Sequence, residues 1–136
     1  MLIENKPYVG PTDPKLICRG NSIEEISYIM NNLNCGFCLD IGHAFCSANV
    51  FKINPYEYLA SFNKLNPVCY HLSDNYENNV IDKHFHLGSC EYNFNRIFKI
   101  INNTTDISIE TLKDSKENLD DFKNDIAFLR GIINEK

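Results

Sequence analysis

Four short apolar runs each end on a side chain able to hold a divalent cation. "LIE" ends on Glu4, "FCLD" on Asp40, "VCYH" on His71 and "ISIE" on Glu110. Two glutamates, one aspartate and one histidine make a hard-to-borderline set, suited to Mn2+, Mg2+, Co2+, Zn2+ or Fe2+. A single acid after a strand is commonplace, because loops begin there. Four such positions in series, with no Lys, Ser or Asn among them, point to one shared metal site. A second group lies in "HLSDNYENNVIDKHFHLG", which holds His71, Asp74, Asp82, His84 and His86. Asp82-x-His84 places two side chains on the same side of an extended segment. With His43, in "GFCLDIGHAF", they make a three-ligand metal site or a set of contacts to substrate hydroxyls. The chain's four histidines are His43, His71, His84 and His86, and this clustering favours function over an incidental polar loop. Cys35-Gly36-Phe37-Cys38 has redox or zinc spacing, but it runs into a strand, where positions three apart face opposite ways. These two read as structural thiols.

The elements that must position these groups follow from periodicity. Met1–Ile3, Gly36–Leu39, Val68–Tyr70 and Ile107–Ile109 are too short for helices and suit buried strands. Helical spacing follows each one. Ser22–Leu33 carries Ile23, Ile26, Ile29, Met30 and Leu33 behind a Ser22-x-x-Glu25 capping box. Asn54–Leu65 starts on an Asn cap with Pro55 at the first helical position. Tyr92–Ile101 and Lys116–Ile133 complete the series. The order β-α-β-α-β-α-β-α predicts an α/β fold with a parallel sheet, so the four strand ends converge on one rim. Loops 5–21 and 73–91 are long enough to expect function in them.

The 136 residues predict a single domain spanning 1–136 with an ordinary globular composition, 43% apolar and 23% charged. A net charge of −5 argues against DNA as the partner, because non-specific affinity comes from neutralising phosphates. No apolar run reaches the length of a membrane span and no signal peptide is visible, so a cytoplasmic location is expected. The six cysteines then read as reduced, mostly buried thiols.

"IEN", "CLDIGHAF", "YHLSDN", "DKHFHLGS" and "ISIET" together resemble the carboxyl-terminal half of the xylose isomerase-like TIM-barrel superfamily. That group includes sugar-phosphate isomerases and epimerases and the endonuclease IV class of AP endonucleases (AP endonuclease family 2). The resemblance implies that Glu4, Asp40, His71 and Glu110 are the shared metal ligands, for Zn, Mn, Co or Mg. It implies that Glu4 and Glu110 are also catalytic, and that His43, Asp82 and His84 hold a second metal or the substrate. The superfamily's Gly-x-Gly stands here as Gly88-Ser89-Cys90. A closed barrel needs eight βα units and roughly 250 residues, so the expected fold is a partial (half) TIM barrel of about four units. The expectations are a metal-dependent isomerase or epimerase acting on a sugar or sugar phosphate through an enediolate; an endonuclease IV-like AP endonuclease; or a catalytically weak half-barrel acting as a binding module. A homodimer or a partner chain would complete the barrel.

Overall fold

The computed structural model describes residues 1–10, 12–102 and 104–134. Four strands, β1 (Leu2–Glu4), β2 (Gly36–Asp40), β3 (Cys69–Leu72) and β4 (Asp106–Ile109), form one sheet in the order β1-β2-β3-β4. Every pairing is parallel. Helix α1 (Ile23–Leu33) links β1 to β2. Helices α2 (Ile41–Phe51) and α3 (Pro55–Asn63) link β2 to β3, α4 (Phe94–Ile100) links β3 to β4, and α5 (Asp120–Asn134) follows.

Side chains alternate across the pleat, which sorts the strands into two faces. Ile3, Phe37, Leu39, Tyr70, Leu72, Ile107 and Ile109 pack with the helices in the core. Glu4, Cys38, Asp40, Cys69 and His71 alternate with these residues and so fall on the opposite face. The register is Glu4 with Cys38, Asp40 with His71, and His71 with Ser108. Asp40 lies two residues beyond the partner of Glu4 (40 − 38), and Glu110 two beyond the partner of His71 (110 − 108). Such a stagger is what a barrel wall needs. The half-barrel expectation therefore holds: four parallel strands, with helices packed on one face.

The helices carry the caps their sequences announce. Ser22 Oγ accepts from the Glu25 N–H at 3.2 Å, but the capping box is not reciprocal: the Glu25 carboxylate accepts from the N–H groups of Gly20 and Asn21. Asn54 Oδ1 accepts from the N–H groups of Tyr56 and Glu57, with Pro55 in the first turn. Two further expectations need correction. Helix α5 starts at Asp120, not Lys116. An extra helix, α2, begins immediately after β2, where a loop was expected. Its residues Ile41 to Ala48 are all buried, so it has no polar face and no amphipathic signature. No described helix is long and apolar enough to cross a membrane.

Candidate metal centre

The parallel order brings Glu4, Asp40, His71 and Glu110 to one rim, each offering one ligand atom, all within 4.8 Å of one another. His71 Nδ1 sits at the middle, 3.0 Å from Glu110 Oε1, 3.8 Å from Glu4 Oε1 and 3.9 Å from Asp40 Oδ2. It is buried, yet the alignment of these contacts leaves it without a hydrogen bond. A buried nitrogen ringed by carboxylate oxygens and bonded to none of them fits a cation between them.

Asp40 ends β2 and caps α2 at the same time: its Oδ1 accepts the His43 N–H at 2.7 Å. Its backbone is gripped by Asn5, which sequence reasoning missed. Asn5 is fully buried; it donates to Asp40 O at 2.9 Å and accepts from Asp40 N at 2.8 Å. The same residue's carbonyl lies 2.9 Å from His43 Nδ1. One asparagine thus sets the height of Asp40 and the orientation of His43. The only sequence signal was its place directly after Glu4 in "IEN".

The charges are strongly interdependent. Burial raises the Asp40 carboxyl to about 6, with Asp82 and Glu4 adding to the rise and His43 opposing it. Burial also works against ionising Glu4, but the His43 hydrogen bond and the Lys6 ammonium, 2.9 Å away, outweigh it and hold Glu4 at about 2. Burial disfavours charge on His43 as well, yet Glu4, Asp40 and Asp82 prevail and lift it to about 9. In the metal-free chain a proton on His43 thus takes the place of a cation among three carboxylates.

His43, Asp82 and His84 form a second group with ligand atoms inside the same 4.8 Å limit. Asp82 Oδ2 lies 3.4 Å from His43 Nε2 and 3.3 Å from His84 Nε2, and it is buried without a hydrogen bond. The chemistry of this set, two imidazoles and a carboxylate, also fits a divalent ion. The local geometry differs from the expected extended segment. His84 has φ +49°, in the left-handed region, and its N–H bonds Asp82 Oδ1 at 3.1 Å. A turn, not strand alternation, brings the two side chains together. His84 Nδ1 lies 2.7 Å from Glu110 O, which ties this loop to the rim.

Asp74 and His86 stand apart from both groups. Asp74 is fully buried and accepts from the N–H groups of Asn75, Cys90 and Tyr92. His86 Nδ1 lies 2.8 Å from Asp125 Oδ2, anchoring the loop to α5. In Gly88-Ser89-Cys90 only Gly88 has positive φ, +78°, so the missing second glycine costs no backbone conformation. All six cysteines are free thiols, but only Cys38 and Cys46 are buried, fewer than expected.

The chain is similar in fold to the solved structure titled "Crystal structure of D-tagatose 3-epimerase-like protein", with a TM-score of 0.67 and 24% sequence identity. The match covers 96% of this chain and 45% of that one. No protein-family model and no curated protein sequence matches. The similarity is one of fold alone: this chain spans less than half the length of that structure, as four consecutive parallel βα units.

Proposed function

We propose that the chain carries the metal-holding wall of a divalent-metal-dependent isomerase or epimerase acting on a sugar or sugar phosphate. The observation that carries this reading is the meeting of Glu4, Asp40, His71 and Glu110 from four parallel strands within 4.8 Å. The fold likeness to an epimerase-like protein supports it. When bound, the metal supplies a Lewis acid for neighbouring carbonyl and hydroxyl oxygens of the substrate. Glu4 ends β1 and Glu110 directly follows β4, the two outermost strands of the sheet. A glutamate on each side of the substrate carbon allows one to remove its proton, giving an enediolate, and the other to return a proton to the opposite face. Glu4 is ionised at neutral pH, as a base must be. His43 and His84, with edge-to-face rings 5.9 Å apart, hold substrate oxygens.

The test is proton exchange in deuterated water with a panel of keto- and aldo-sugars and their phosphates. Deuterium should enter at the carbon beside the carbonyl, and Glu110→Gln should abolish it. A metal-loaded chain that exchanges nothing would contradict the reading. The orphaned Asp82 Oδ2 between two histidines favours a second reading, multi-metal cleavage of a phosphodiester at abasic DNA. Cleavage of an abasic duplex without sugar exchange would select it. Ligand binding without either reaction would leave a binding module.

A further inference from the structure

From the layer beneath the rim we infer that Cys38, Cys69 and His71 form a separate site for a thiophilic divalent ion such as Zn2+ or Cd2+, sharing His71 with the carboxylate set. This inference is independent of the sugar reading. Cys38 and Cys69 are register partners on β2 and β3, directly before the partners Asp40 and His71 on the same face. The four side chains make a two-by-two grid, with sulfur below and the rim ligands above. A ligand atom from each of Cys38, Cys69 and His71 falls within 4.8 Å of the others. Around a tetrahedral ion such atoms stand roughly 3.5 Å apart, a gap that small rotations close. Coordination deprotonates thiols outright, and thiolate with imidazole prefers zinc and softer ions over Mn2+ or Mg2+. His71 Nδ1, which lacks a hydrogen bond, has one lone pair to give, so the thiolate-bound ion and the rim ion compete for it. Cys69 is partly exposed, which gives an ion a path to the buried Cys38. The relevant partner of Cys38 is therefore Cys69, across the sheet, and not Cys35.

The test is titration of the reduced full chain with Cd2+, followed by the ultraviolet thiolate-to-cadmium charge-transfer band, with calorimetric Mn2+ titration in parallel. The wild type should show the band. Cys69→Ser and Cys38→Ser should each weaken Cd2+ binding by at least about tenfold while leaving Mn2+ affinity nearly unchanged. Glu110→Ala should do the reverse, and His71→Ala should weaken both. Cys69→Ser lies at a partly exposed position, so circular dichroism can confirm its fold should Cys38→Ser fail to fold. A missing band in the wild type would overturn the site. So would a band that survives Cys69→Ser, because Cys18, Cys35, Cys46 or Cys90 would then carry it. A band unaffected by His71→Ala would overturn the shared histidine.

Discussion

Glu4 and His43 keep each other charged, and this coupling makes the metal-free protein sensitive to pH. His43 titrates near 9 in the fold against 6.5 for an ordinary histidine. A base with a raised pKa stabilises the fold fully below its unfolded value and loses that contribution as pH rises through the folded one. The stabilisation is therefore present below pH 6.5 and lost through about 9, on the order of 3 kcal/mol. Urea unfolding of the metal-free chain from pH 7 to 10 should show this loss, and His43→Gln should remove the part of it that sets in between about pH 7 and 8.5. Asp40 is already ionised above its value of about 6, while the Cys38 and Cys46 thiols, pushed up by burial, add a loss above about pH 8.5 that both proteins share. Equal pH profiles for the two proteins would contradict the coupling. Asn5 makes a second prediction at this scale. Asn5→Ala strips both backbone hydrogen bonds from Asp40 and should cost about 2–4 kcal/mol. It should also weaken metal binding about tenfold by releasing Asp40. Urea midpoints and calorimetry check both, and a loss below about 0.5 kcal/mol would rule out the clamp.

Elements explain what the chain made legible. The strands were visible as short apolar runs, and the rim as the polar residue closing each one, because a parallel sheet converts like positions in sequence into neighbours in space. Helix α2 was not visible, since helical pattern is read from a polar face and Ile41 to Ala48 have none. Asn5 was hidden because its partner, Asp40, is 35 residues away. The Cys38–Cys69 pair was hidden for the same reason, whereas the nearer Cys35 drew notice by its spacing. Gly42 shows why α2 matters to the second group. A Cβ there would lie 3.0 Å from Asp82 Oδ2 and 3.1 Å from Ser73 Oγ. Gly42→Ala should therefore shift Asp82 by a few tenths of an ångström and weaken binding at His43, Asp82 and His84 while sparing the rim. Calorimetry with metal and with sugar would show this as a loss confined to that group's ligand, and unchanged affinity for both would contradict it. Gly88 anchors the other end of the loop. Its φ of +78° and the Phe128 ring packed against it leave no room for a side chain. Gly88→Ala should cost at least about 2 kcal/mol in urea unfolding and loosen α5.

At the scale of the whole chain, the four-stranded parallel sheet of the described residues has two unpaired edges, and the surface around them is apolar. Among the described residues β1 and β4 are each paired on one side only, and open edges invite pairing. Beside β4 lies an apolar groove of about 400 Å³ lined by Ile107, Ile109, Phe122 and Ile126. Leu2 and Val68 are more than half exposed as well. The isolated chain should therefore self-associate in sedimentation experiments, and Ile126→Lys should weaken the association; a clean monomer at high concentration would contradict this. A metal at the rim would pin all four strands at their carboxyl ends, so binding should also raise the unfolding temperature with metal concentration. The most direct measurement of the central claim is calorimetric titration of the metal-free chain with Mn2+, beside Asp40→Ala. The account predicts saturable binding in the wild type and at least about a hundredfold weaker binding in the variant. No saturable binding, or equal binding by both, would show that these four side chains meet without forming a metal site.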